Sequence, residues 1–531
     1  MNQKIKSLIL HPFLFAIYPP LFLLEHNLHE LEPIEGLRAI LVSLIVSAII
    51  FLFLRLILKN WQRAALVTTV FMVMFFAYGH VRTLIPQVMV SGVPIYAHRY
   101  TFPVWIVLTL ILMWLAGWKV KKPGEITPYL NILGLVLIAT VVIQGAVYVF
   151  QFGQGLSAKT QEKMKELGIS TVTGKLNPPP KEEMRDIYYI ISDGYSRNDV
   201  ILNEYGYDNS DFTDALKERG FYIADCSSSN YDYTVFSLSS ALDLNYVHRF
   251  AGHLLRGHDW RDFSEYFRHN VVRDTLIELG YKTVAFDTVT RWTLVKNSDY
   301  FISLKKDTLL IDTLLGGVTE FEDLLMDTTL LARRNTLIKW ITGVDPSILK
   351  EAGGQEVLAG VPPALYPERY AIIQNNLLKL QEIPSYPGKK FIYAHLLSTH
   401  RPFYFDKDGS FNPTFSTEGY INSTIYTNTM LLEAVDKIIA ETDPDPIIII
   451  QGDHSRTGSK DPFGILNAYY LPDGGTQLLY PTISPVNSFR VIFNYYFGAD
   501  FPLIEDISFD WYKQRDTIIF EEVPHTAPCY K

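Results

Sequence analysis

No water reaches the hydrocarbon core of a bilayer to satisfy backbone N–H and C=O groups, so a chain that crosses it must do so as helices or as a closed barrel. The first 150 residues impose that choice. They contain five apolar segments, at residues 8–24, 39–58, 64–81, 102–118 and 130–150. At 1.5 Å rise per residue, helices of this length approach or cover the roughly 30 Å of hydrocarbon. Residues 1–150 are therefore expected to form a five-helix transmembrane region. The first segment is the weakest, because it holds His11, Pro12, Pro19 and Pro20, and a re-entrant or interfacial piece is its alternative. A cleaved signal peptide is not expected, since four further apolar segments follow and no small-residue cleavage site intervenes.

Charge divides the chain at the same place. Residues 1–150 carry 11 Lys+Arg against 5 Asp+Glu, and the remainder carries 36 against 51. An acidic remainder argues against nucleic acid as partner, because binding a polyanion normally needs a clustered basic surface. Lys4 and Lys6 precede the first segment, Lys59 and Arg63 lie between the second and third, and Lys119, Lys121 and Lys122 follow the fourth. The first hairpin instead holds Glu25, Glu30, Glu32 and Glu35. The positive-inside rule then puts the amino terminus in the cytoplasm, and five crossings put the large remainder outside the cell membrane. Two cysteines, Cys226 and Cys529, make no disulfide framework and leave the compartment undecided.

Residues 151–185 read as a linker, with a short helix expected at 157–167 and a stiff Pro178-Pro179-Pro180 spacer. From Asp186 to Lys531 strand-like runs alternate with helical patterns. Strands are expected at 186–192, 282–286, 390–397, 447–451 and 467–471, and helices at 208–219, 271–279, 370–381 and 427–441. That alternation predicts an α/β domain, a central, mostly parallel sheet flanked by helices. The stretch from 300 to 365 has a mixed pattern and is open; an insertion that shapes an acceptor site is one reading.

Two of the apolar runs end in an acid. They are Asp186-Ile-Tyr-Tyr-Ile-Ile-Ser-Asp193-Gly-Tyr-Ser-Arg197 and Pro446-Ile-Ile-Ile-Ile-Gln-Gly-Asp453-His454-Ser-Arg456. Ligands of open α/β sheets collect at the carboxyl ends of parallel strands, so these runs would deliver Asp193, Asp453 and His454 to one crevice. Two carboxylates and an imidazole suit one divalent ion, Mn, Mg or Zn. Either run alone is more simply a strand followed by a helix cap or turn; the pair together points to a metal site. Cys226-Ser-Ser-Ser-Asn230-Tyr-Asp-Tyr-Thr234-Val-Phe-Ser237-Leu-Ser239-Ser240 supplies hydroxyls that a metal could activate, although such stretches commonly only cap helices. A further run ends Ala394-His395-Leu-Leu-Ser-Thr399-His400-Arg401-Pro402-Phe403. There His395 reads as a satisfied histidine within the strand, His400 as the functional one, and Arg401, with Arg197, as a contact for a substrate anion.

Taken together, these residues resemble the alkaline phosphatase superfamily, and within it the membrane-anchored sulfatase-like branch of lipoteichoic acid synthases and phosphoethanolamine transferases. The resemblance covers about Asp186 to Phe497 and extends to the helices in front. It implies metal ligation by Asp193, Thr234, Asp453 and His454, with Thr234 as nucleophile in its Asn-Tyr-x-x-Thr-x-x-Ser-Leu setting. His400 falls in the family's Thr-His-x-Pro-aromatic pattern. It also implies a transferase that moves a phosphoglycerol or phosphoethanolamine type of group from a membrane lipid donor to an envelope polysaccharide or lipid acceptor. The sequence departs from the family in places. Cys226 lacks the x-Pro-x-Arg that formylglycine sulfatases need, Asp193 stands where lipoteichoic acid synthases have Glu, and Ser455 stands where many relatives have Gly. Two rival readings follow, a phosphodiesterase, phosphatase or sulfatase-like hydrolase with the same chemistry, and a non-catalytic envelope scaffold.

Overall fold

A computed structural model describes residues 8–27, 36–83, 88–90, 93–95, 98–152, 176–250, 267–288, 293–304, 320–333, 366–514 and 517–524. The helix expected at 157–167 lies outside them. The chain divides into two units, Met1–Gln154 with Asp307–Ala352, and Gly155–Lys306 with Gly353–Lys531.

The first unit holds α1 (His11–His26), α2 (Leu37–Leu58), α3 (Trp61–Thr83), α4 (His98–Trp114) and α5 (Pro123–Phe152). Among the described residues, four helices are long and apolar enough to cross a membrane: Leu37–Leu58, Trp61–Val81, Thr101–Lys119 and Pro123–Val147. The count is thus four and not the expected five. Helix α1 has 16 residues, about 24 Å at 1.5 Å each, which falls short of the hydrocarbon thickness. It packs inside the unit nonetheless. Asn131 of α5 accepts hydrogen bonds from the Leu10 and His11 N–H groups at 3.1 and 2.8 Å, satisfying donors that a helix start leaves without partners. Helix α3 is the central one, with 61% of its most apolar window buried against 17% for the other three spans.

A helix at Glu320–Asp327 belongs to this unit too. Its Phe321 and Leu325 are buried with Ala16, Leu24, Ala39, Met72 and Phe76, and Glu322 pairs with Arg38. Gly79 donates its N–H to Thr328 O at 2.9 Å. A Cβ at Gly79 would stand 2.5 Å from that backbone, so the approach needs glycine.

The second unit is built on a seven-stranded sheet. Its strands are β1 (Ile187–Ser192), β2 (Tyr222–Ile223), β3 (Lys282–Phe286), β4 (Tyr300–Ile302), β5 (Lys390–Leu396), β6 (Ile447–Gly452) and β7 (Asn467–Tyr470), in the spatial order β2-β7-β6-β1-β5-β3-β4. The pairs β6–β1, β1–β5, β5–β3 and β3–β4 are parallel, and β7 is antiparallel to both its neighbours. The expected α/β architecture with a mostly parallel sheet is present. Because side chains alternate across a strand, Tyr189, Ile191 and Ile449 face one layer and Tyr188, Ile190 and Ile450 the other. The first layer contains α6 (Thr234–Leu242), α7 (Val271–Glu278) and α10 (Pro485–Tyr496); the second contains α8 (Tyr366–Leu380) and α9 (Thr417–Glu441). Burial on both faces explains why β1 and β6 are continuous apolar runs.

Candidate active site

Register places the chemistry. Ser192, the last residue of β1, pairs with Gly452 on β6 and with Leu396 on β5. The next residues, Asp193 and Asp453, therefore leave adjacent parallel strands at one level. Backbone bonds fix this turn: Asp193 N–H donates to Leu396 O at 2.9 Å, Gly194 N–H to Asp453 Oδ1 at 3.0 Å, and Thr399 Oγ1 to Asp193 O at 2.6 Å. Both carboxylates are buried, yet Asp193 Oδ1 and Asp453 Oδ2 have no hydrogen-bond partner. A buried carboxylate oxygen without a partner is costly unless a cation completes it.

His454 Nε2 lies 3.4 Å from Asp453 Oδ2 and 3.8 Å from Asp193 Oδ1. Its Nδ1 is 2.6 Å from Ser455 O, a carbonyl that can only accept. Nδ1 thus carries the proton, and in the neutral ring Nε2 keeps the lone pair that a metal ligand needs. Burial disfavours the charged ring, but Asp453 and Asp193 outweigh it and raise the His454 pKa. For Asp193, burial works toward a higher pKa; His400, the His395 hydrogen bond and His454 prevail and hold it below the ordinary carboxylate range. It is ionised, as a ligand must be.

The hydroxyl-rich loop separates into roles. Thr234 opens α6, after the extended Tyr233, and its Oγ1 lies 3.2 Å from His454 Nε2. Ser227, Ser229 and Ser237 donate to the carbonyls of Ile483, Tyr231 and Asp453, while Ser239 is fully buried. The structure thus brings Asp193, Thr234, Asp453 and His454 together. His400 follows Thr399 at the bend after β5, half-buried, near enough to Asp193 to influence its charge.

Residues 185–481 match the family model described as Sulfatase. The chain belongs to the sulfatase family. It is an enzyme of the alkaline phosphatase superfamily, and a membrane protein by its apolar helices. No curated protein is a significant match by sequence. Among solved structures, it is similar to the zinc complex of the C-terminal periplasmic domain of EcEptC from Escherichia coli, at 13% identity, with 65% of this chain and 94% of that one covered and a TM-score of 0.39. It is similar also to the lipoteichoic acid synthase LtaP from Listeria monocytogenes, at 11% identity, 65% and 81% coverage and TM-score 0.36. The integral membrane protein lipooligosaccharide phosphoethanolamine transferase A from Neisseria meningitidis matches at 10% identity, 88% and 89% coverage and TM-score 0.30.

Within this sulfatase-family domain, two readings of the sequence change. His395, read there as a satisfied strand histidine, is satisfied, but by the site: Nε2 lies 3.1 Å from Asp193 Oδ2 and Nδ1 2.9 Å from Thr293 Oγ1. Asp193, His395 and Asp453 each offer a ligand atom within 4.8 Å of the others. The signal was positional, since His395 pairs with Ile191, two residues before Asp193. Arg197 is the second change. Its guanidinium binds Asp199 through two bonds of 2.6 and 3.0 Å, Ser227 O at 2.8 Å and Asp461 at 3.4 Å. Those donors are committed to the protein, so the expected substrate contact is corrected to an internal anchor. Arg401 is half-buried beside His400. Cys226 is disulfide-bonded; it offers no free thiol for a formylglycine route, consistent with the missing Pro and Arg.

Proposed function

We propose that this protein is a metal-dependent transferase that moves a phospho-substituent, of phosphoglycerol or phosphoethanolamine type, from a membrane lipid to an envelope glycan or lipid. The observation that carries the reading is the meeting of Thr234 Oγ1, His454 Nε2 and two unpartnered carboxylate oxygens at the ends of adjacent parallel strands. Asp193, Asp453, His454 and Thr234 would hold one divalent ion, Mn, Mg or Zn, with His395 fixing the free face of Asp193 or joining the set. When bound, such an ion lowers the pKa of a coordinated hydroxyl and offsets charge on a phosphoryl group.

Thr234 Oγ attacks phosphorus as the alkoxide, its proton having gone to solvent; the bond from phosphorus to the lipid glycerol oxygen breaks, and the departing diacylglycerol oxygen takes a proton for which His400 is the donor. The product is a phospho-threonine carrying the head group. An acceptor hydroxyl then attacks phosphorus, gives its proton to His400, and restores Thr234. Arg401 pairs with the substrate anion. Lys59 and Arg63 follow the first of the four spans and Lys119, Lys121 and Lys122 the third; cytoplasmic placement of those basic loops supports a site outside the cytoplasm, and the Cys226 disulfide suits an oxidising compartment. Residues 1–150 would anchor the site near the donor, 151–185 would link it, and the catalytic domain would follow from 186.

Mass spectrometry of Thr234 in the full-length protein, after incubation with membrane lipids, tests the reading. A head-group phosphate adduct that disappears when acceptor is added is the expected result. An adduct that disappears equally fast in water makes the protein a hydrolase. No adduct and no bound metal leaves the scaffold.

A further inference from the structure

Arg456 stands two residues after His454, and nothing in the reaction above uses it. Its backbone N–H donates to Ser196 Oγ at 2.9 Å, and its Cα lies 3.9 Å from the point where a Cβ on Gly194 would stand. It is therefore a direct neighbour of the Asp193 turn. Its guanidinium lies over three rings, 4.7 Å from the centroid of Tyr205, 5.3 Å from Tyr420 and 5.6 Å from Phe403. Aromatic faces hold a guanidinium by its charge and leave its in-plane donors free. Arg456 Nε is buried and has no acceptor. Among the described residues no carboxylate pairs with Arg456, whereas Arg185, Arg197 and Arg219 each have an Asp partner.

A second cation lies beside it. Phe403, one of the three rings, is joined through Pro402 to Arg401, and Arg401 is half-buried. Burial, and next the charge of Arg456, lower the Arg401 pKa. Among the described residues neither guanidinium has a carboxylate partner; the two charges repel, and an anion held by both removes that cost.

We infer that Arg456 and Arg401 form an anion subsite on an aromatic platform beside the metal ligands, which takes a phosphate or carboxylate group of the substrate. The identity of that substrate rests on the transferase reading; the subsite itself does not. Its planar fork matches two oxygens of either group.

The test measures binding of inorganic phosphate to the full-length protein in phosphatidylcholine nanodiscs by calorimetry, with and without chelator. Wild type should bind phosphate, and should keep most of the affinity after the metal is stripped, because the subsite is made of arginines. Arg456→Gln should weaken binding at least tenfold with metal content unchanged, and Arg456→Lys should recover part of it. Equal affinity in wild type and Arg456→Gln overturns the inference, as does complete loss of phosphate binding on chelation, which would assign the anion to the metal. A wild-type protein that binds phosphate but no metal would sink the transferase reading and leave the subsite standing. Nanodiscs containing phosphatidylglycerol identify the source: competition with phosphate assigns the subsite to a lipid head group, and undiminished phosphate binding assigns it to the acceptor.

Discussion

The substitution Asp453→Asn separates the two states of the proposed metal site, because it should act on them with opposite sign. The amide that replaces the carboxylate keeps an acceptor for Gly194 N–H, now a 3.0 Å bond to Asp453 Oδ1, and deletes one buried negative charge. Without metal, the two carboxylates face each other with ligand atoms within 4.8 Å. At an effective dielectric of about 20 that is a repulsion of about 3 kcal/mol, partly offset by His395 and His454. The metal-free variant should therefore be as stable as metal-free wild type, or more stable by about 1–2 kcal/mol. With metal the order reverses. An ion at about 100 times its Kd contributes roughly 2.7 kcal/mol to the wild type, an increase of about 5 °C at about 2 °C per kcal/mol, and the variant should gain almost none. Melting curves of the two proteins with added Mn, Mg or Zn and with chelator give all four values. A metal-induced rise in the variant equal to that of wild type would show that Asp453 is no ligand. A chelated variant that melts well below chelated wild type would refute the repulsion argument.

Thr234→Ala should abolish turnover while shifting stability by only about 1 kcal/mol, the usual worth of a hydroxyl at a helix start, and Thr234→Ser should retain measurable activity; turnover assays beside melting curves decide it. His395→Gln should weaken metal affinity by about 10- to 100-fold if the ring orients Asp193, as read by metal titration, and an unchanged affinity would return His395 to the sheet core alone. Arg197→Ala should cost about 2–3 kcal/mol in stability through its lost charged hydrogen bonds with KM unchanged, so a raised KM at wild-type stability would restore it as a substrate contact. A reporter active only outside the cytoplasm should be active when fused after Lys531 and silent after Lys122, and the reverse pattern would overturn the proposed orientation.

What the sequence disclosed follows the range of the forces involved. Strands β1 and β6 were legible because burial on both faces demands unbroken apolar runs, and their ends fell within a residue or so of those expected. Helix α9 starts at Thr417, ten residues before the expected 427, because its first turns are polar; the signal lay in Ser416, whose side chain accepts from Gly419 N–H as an N-cap. Strand β4, three residues long, is too short for periodicity to show. In the site, Asp193, Asp453 and His454 lie near one another at the strand ends, the juxtaposition that the strand-end argument expects, whereas Thr234 reaches His454 from a helix start and was suggested only by the family resemblance. The internal role of Arg197 is not legible in the sequence because one of its acids, Asp461, lies 264 positions away, and no local pattern reports a partner at that distance. Arg456 gives no local signal for the same reason, since its three rings come from three separate stretches of the chain.

The packing of the helix at Glu320–Asp327 with the helices of the first unit bears on how the enzyme can be divided. The residues proposed for the reaction sit in one unit, yet the polypeptide that builds it is interrupted by a piece whose apolar side belongs elsewhere. Excision of the amino-terminal helices would strip Phe321 and Leu325 of Ala16, Leu24, Ala39, Met72 and Phe76 and would leave Glu322 without Arg38. A shortened protein starting in the linker would then carry a sticky, orphaned flap, and self-association through it is the expected failure. Trimming both stretches at once, and splicing the catalytic unit across the gap, is the division that the connectivity itself recommends.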